Sequence, residues 1–105
     1  MPIDSAWQDA EPGVRRRILR AEGRLMLMEV QFAAGAAGYE HRHVHEQVSY
    51  CTAGRFEYSL DGRTSLLAPG DSIYVPSNAL HGARALEAGS LLDVFTPVRE
   101  DLLAT

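Results

Sequence analysis

Apolar and polar residues alternate with a period of two through most of this chain, and turn residues break the alternation at short intervals. Met26, Met28, Val30 and Phe32 fall on one face of the segment Arg24–Phe32, while Glu29 and Gln31 fall on the other. That is the signature of a half-buried strand, whose successive side chains point to opposite faces. The same reading predicts strands over Val14–Arg20, Glu46–Ala53, Arg55–Leu60, Arg63–Leu67, Ser72–Val75, Leu80–Ala85 and Ser90–Phe95. Between them lie Ala21-Glu22-Gly23, Asp61-Gly62, Pro69-Gly70-Asp71, Pro76–Ala79 and Glu87–Gly89. Asp61-Gly62 is the strongest hairpin signal, because Asp-Gly accepts the two positive φ angles of a type I′ turn. Residues 1–12 read as a tail, 33–40 as a loop, and Asp101–Leu103 as at most one helical turn. About eight strands at this spacing, with no helical periodicity over ten residues, predict an all-β domain over residues 13–105, a small antiparallel barrel or jelly roll.

Composition narrows the function classes. The 105 residues suffice for one modest core. A net charge of −4, with all ten basic residues arginine, argues against a nucleic-acid partner. Arg15, Arg16 and Arg17 form the only basic cluster, too short for a nucleic-acid patch, and read as a solvated strand. No apolar run reaches membrane-spanning length and no export signal is legible at the start, so the expected location is the cytoplasm. The single cysteine, Cys51, excludes an internal disulfide and reads as a small buried apolar side chain.

The candidate chemistry lies in the histidines. Were residues 41–47 one strand, His41, His43, His45 and Gln47 would share a face. His81 follows much later, behind Pro76. Imidazoles and an amide oxygen aimed into a barrel would bind a divalent metal and leave positions open for substrate. Parity alone allows either His43 or His45 as a ligand.

Two motifs resolve that register. Residues 35–54 run Gly35-x5-His41-x-His43-x3-Gln47-x6-Gly54, and residues 70–85 keep Gly70, Pro76 and His81. In order and spacing these resemble the two motifs of the cupins, with Gln47 where Glu is usual, Asn78 for a Gly and Ala85 for an Asn. The resemblance implies a cupin jelly-roll (double-stranded β-helix) barrel and one divalent metal ion (Ni, Zn, Mn or Fe) on His41, His43, Gln47 and His81, with His45 at the rim. Replacing the carboxylate by an amide removes one negative charge beside the metal, which favours Lewis-acid over redox chemistry.

The chain is most similar to the small single-domain cupins of pectin and alginate breakdown that open the ring of 4,5-unsaturated uronates. Those carry an Asp-x-Phe-x3-Arg segment on the last strand, matched here by Asp93, Phe95 and Arg99. The resemblance implies catalytic roles for all three: Asp93, desolvated among Leu91, Leu92 and Val94, moves a proton. Phe95 packs on the sugar, and Arg99 clamps the carboxylate of a sugar-acid substrate. An ion pair of Arg99 with Glu100 or Asp101 is the competing reading. A metal-dependent dioxygenase and a non-catalytic sugar- or metal-binding cupin are the alternatives for the whole protein. A homodimer is expected, with Phe56 and Tyr58 as the apolar residues that a partner would cover.

Overall fold

The computed structural model describes residues 6–103 as two antiparallel sheets facing each other across one core. In chain order the strands are β1 (Gln8–Glu11), β2 (Val14–Glu22), β3 (Leu25–Phe32), β4 (Ala37–His41), β5 (Glu46–Ala53), β6 (Phe56–Leu60), β7 (Arg63–Leu67), β8 (Ser72–Val75), β9 (His81–Ala85) and β10 (Gly89–Thr96). One sheet has the order β1-β2-β3-β10-β5-β8, the other β4-β9-β6-β7. A four-residue helix, α1 (Glu100–Leu103), ends the described chain.

The predicted alternation holds where it was strongest. On β3, Met26, Met28, Val30 and Phe32 are buried, and on β5 Gln47, Ser49 and Cys51 alternate with exposed Val48, Tyr50 and Thr52. Asp61 and Gly62 both take positive φ, 48° and 82°, and join β6 to β7 through the Leu60–Arg63 pair. The outcome is the jelly roll that the strand spacing predicts.

Three expectations change. Residues 8–11, assigned to the tail, form β1 and pair with β2, because backbone pairing needs no apolar alternation in the added strand; residues 1–5 of that tail lie outside the described residues. The loop assigned to 33–40 contains most of β4. Phe56 and Tyr58 are buried instead of exposed, since their parity on β6 points into the sandwich, where Phe56 meets Phe32 edge-on with ring centroids 5.0 Å apart. They cannot form a dimer surface.

The β5–β6 and β9–β10 connections pass close to each other beside the paired ends of β5 and β10. A Cβ placed on Gly89 would collide with the Ala53 carbonyl oxygen, and one on Gly54 would lie 2.6 Å from that of Ala88. No side chain fits between backbones this close, so Gly89→Ala forces them apart. We expect it to lower the unfolding free energy by about 2–3 kcal/mol, measured by urea denaturation; an unchanged midpoint would refute the contact.

Candidate metal and substrate site

The site lies between the sheets, and each sheet supplies part of it. His41 ends β4 and His81 begins β9, directly opposite each other across that strand pair, with ring centroids 4.5 Å apart. Gln47 belongs to β5 of the other sheet. His43 is on no strand: residues 42–45 carry the chain from one sheet to the other. The crossing is held by the β8–β9 loop, where Asn78 N–H donates to the His43 carbonyl at 2.7 Å and Ser77 Oγ to that of Val44 at 2.6 Å. The common face of His41, His43 and Gln47 is therefore a product of the crossing between sheets and not of alternation along one strand.

Asn78 has φ 64°, in the left-handed region. Asparagine tolerates that region better than other side-chain-bearing residues. The exchange of glycine for asparagine in the second motif thus keeps the turn and adds no strain at His81.

The imidazoles are set up to ligate. In each ring Nδ1–H donates to a backbone carbonyl: His41 to Tyr39 at 2.9 Å, His43 to His45 at 3.0 Å, His81 to Ala79 at 2.9 Å. Those bonds fix the tautomer that leaves Nε2 with its lone pair. The ligand atoms of His41, His43 and His81 lie within 4.8 Å of one another. Burial lowers the pKa of His43, and lowers that of His81 to about 4, so both rings stay neutral near pH 7. His81 Nε2 is buried without a hydrogen-bond partner.

Gln47 joins them through its carbonyl end. Its Nε2 donates to Ser49 Oγ at 2.9 Å and to the Tyr58 hydroxyl at 3.3 Å, which turns Oε1 toward His43 Nε2, 3.0 Å away. With Nδ1–H already used, two acceptors face each other there, an arrangement that a shared cation makes favourable. The orphaned Nε2, the neutral rings and this facing pair together fit a divalent ion.

Asp93 sits one strand over, on β10, with its inward side chain between Met28 and Ser49 in the register. Ser49 Oγ donates to its Oδ1 at 2.7 Å and lies 3.0 Å from the Tyr58 hydroxyl. Burial raises the Asp93 pKa to about 6, against the lowering effect of its hydrogen bonds with Ser49 and Gln47. Ser49 was findable, since it shares the parity of Gln47 and Cys51. Tyr58 was not, because its sheet is brought against β5 only by the fold.

Phe95 is buried, with its ring edge-on to His43 at 5.8 Å and the Arg99 guanidinium 5.2 Å from its centroid. Arg99 is buried too, and its Nε and Nη2 donate to the two oxygens of Asp101 at 3.0 and 2.7 Å. The ion pair considered as the competing reading is therefore present, inside the protein for Arg99. It pulls the Asp101 carboxyl down to about 2. His45 lies beside His43, with ring centroids 5.4 Å apart. Cys51 is fully buried, its thiol directed at the carbonyls of Ala53 and Gly54, and burial raises its pKa. It is a core residue.

His41, Gln47, His81, Asp93, Phe95 and Arg99 line one cavity of about 270 Å³. That volume suits a monosaccharide better than a polymer.

A jelly roll with three inward imidazoles beside a glutamine defines a class, and sequence comparison agrees. The cupin domain profile matches residues 28–95, and the chain belongs to the cupin family. It is 38% identical over 102 residues to the pectin degradation protein KdgF of Dickeya dadantii (strain 3937), covering 95% of this chain and 93% of that protein. Among solved structures, KdgF from Halomonas sp. shares 43% identity with a TM-score of 0.87, covering 92% of this chain and 90% of that one. An RmlC-like cupin from Shewanella frigidimarina NCIMB 400 shares 40% identity with a TM-score of 0.89, over 93% and 88% of the two chains.

Proposed function

We propose that this protein opens the ring of 4,5-unsaturated uronates released from pectin or alginate, giving the open-chain keto acid. The reading is carried by one juxtaposition: a carboxyl group of raised pKa, Asp93, on the wall of the cavity that His41, Gln47 and His81 also line, with His43 clustered against His41 and His81. The likeness to two KdgF proteins, one of them described as a pectin degradation protein, supports it.

A divalent cation held by the three imidazoles and the Gln47 amide oxygen would supply Lewis-acid polarisation of sugar oxygens when bound. Asp93, starting as the carboxylate, accepts the proton of the C1 hydroxyl. The O1 lone pair then forms the C1 carbonyl, and the C1–O5 bonding pair leaves on O5. The resulting enolate takes the same proton from Asp93 at C4 and becomes the C5 ketone. Atoms and electrons balance without an oxidant or a second substrate. Ser49 holds the carboxyl in one orientation through the transfer. Arg99 places positive charge, and the Nη1 that Asp101 leaves open, beside the developing enolate, with Phe95 as the wall between Arg99 and His43.

The test is direct. Purified protein of known metal content is mixed with an unsaturated uronate monomer, and the ultraviolet absorbance of the C4=C5 bond is followed. Loss of absorbance well above the spontaneous rate is expected; the spontaneous rate alone, with metal bound, would overturn the reading.

The homodimer is proposed on a different surface from the one the sequence suggested. Val48, Tyr50, Tyr74 and Val94 are exposed on the outer face of the six-stranded sheet, and Val48 lies between Tyr74 and Val94 in the register. Val48→Arg is expected to shift size-exclusion elution from dimer to monomer mass; wild-type elution as a monomer at tens of micromolar would refute the assembly. Among the described residues no helix is long and apolar enough to cross a membrane. With Cys51 as a free buried thiol, we place the protein in the cytoplasm.

A further inference from the structure

The cavity contains a second arginine that neither the two motifs nor the last-strand segment accounts for. Arg16 lies on β2 between Val14 and Ile18, both buried, and pairs in register with Val30, also buried. Strand alternation therefore turns Arg16 inward, and it lines the same cavity as His41, His81, Asp93 and Arg99. The other arginines of this strand are matched. Arg15 donates to Gln31, Arg17 pairs with Glu29, and Arg20 pairs with Glu22. Arg99 has its Nε–Nη2 edge taken by Asp101.

Among the described residues the Arg16 guanidinium has no hydrogen-bond or ion-pair partner. Glu11 and Glu40 line the same cavity and neither engages it. A half-buried guanidinium is unfavourable unless an anion meets it, and its planar fork of donors matches a carboxylate edge to edge. Asp101 already offsets the charge of Arg99, so among the described residues the guanidinium in this cavity that lacks a counter-charge is Arg16.

We propose that Arg16 receives the carboxylate of the sugar acid in a bidentate contact, and that Arg16, ahead of Arg99, makes the site select uronates over neutral sugars. This inference rests on the uronate reading of the site. Arg99 keeps its place beside the reacting oxygens, held there by Asp101. The sugar ring then lies between the triad and β2, with its charged end on the wall formed by the first strands of the chain.

The experiment measures binding as well as turnover. Calorimetry with D-galacturonate, a saturated uronate that cannot undergo the reaction, and with neutral D-galactose is run on wild type, Arg16→Ala and Arg16→Lys. Turnover of the unsaturated uronate is measured on the same samples, and circular dichroism checks their fold. Wild type is expected to bind galacturonate at least about 10-fold more tightly than galactose, with that preference lost in Arg16→Ala and partly restored by Lys. KM should rise about 10- to 100-fold in Arg16→Ala, the range of a charge-assisted hydrogen-bond pair, with a smaller effect on kcat. If Arg16→Ala keeps the wild-type preference and KM, or if wild type shows no preference, the assignment is overturned. A preference that depends on Arg16 without any ring opening would sustain this assignment and remove the proposed reaction. Ring opening with a KM indifferent to Arg16 would do the reverse.

Discussion

His81→Ala is expected to abolish both metal retention and turnover. His81 is the most enclosed of the three imidazoles, its Nδ1 tied to the Ala79 carbonyl and its Nε2 buried with no protein partner. Truncation removes a ligand from the strand pair that also presents His41, and leaves two imidazoles from two different segments. Loss of a mere outer-sphere partner weakens a metal site about 10- to 100-fold, so loss of a ligand should exceed about 100-fold. The measurements are metal content after gel filtration and turnover of the unsaturated uronate. Because Nε2 makes no hydrogen bond within the protein, the far-ultraviolet circular dichroism of the variant should match that of metal-free wild type. A variant that folds and still carries stoichiometric metal would show that His81 is not a ligand.

Asp93→Asn should lower kcat about 10²- to 10⁴-fold, the usual contribution of a positioned acid–base group. The substitution preserves shape, and the amide oxygen can still accept from Ser49, so fold and metal content should be retained. The pH dependence follows from the direction of the shift. Burial favours the neutral carboxyl and raises its pKa to about 6, so the group is protonated below that pH and ionised above it. Since the proposed transfer starts from the carboxylate, wild-type kcat should rise with pH through about 6 and then level off. Metal content is measured at each pH, to separate this limb from protonation of the imidazoles. A kcat flat between pH 5 and 7.5 with metal fully bound would remove Asp93 from the proton transfer.

These two predictions differ in how visible their residues were beforehand. His81 stood out because Gly70 and Pro76 precede it at a recognisable spacing, and spacing survives whatever the strands do. Asp93 stood out as one acid among Leu91, Leu92, Val94 and Phe95, from which desolvation could be argued, and burial followed. Tyr58 was misread. Its alternation with Glu57 was plain, but alternation does not say which side of a strand is the inside, and a tyrosine suits either. Arg16 is hidden in the sequence for a related reason: in Arg15-Arg16-Arg17 every position is charged, so the pattern has no apolar residue to mark the inward face. β1 escaped for want of any apolar pattern, since Gln8–Glu11 joins the sheet through its backbone.

What the sequence by itself determined is local and periodic. Strand positions, the Asp61-Gly62 hairpin and the jelly-roll class follow from side-chain parity and turn chemistry, which act over a few residues, and the choice of His41, His43, Gln47 and His81 follows from the spacing of two motifs that resemble those of the cupins. Only the tertiary structure decided how these parts meet. His41 and His81 face each other because β4 pairs with β9, and His43 joins them because residues 42–45 cross between sheets under the hold of Ser77 and Asn78. Asp93 meets Ser49 through the β10–β5 register, and Arg16 enters the cavity because β2 continues the same sheet beyond β3. Register and sheet order arise from contacts between residues far apart in the chain, and no short-range pattern encodes them.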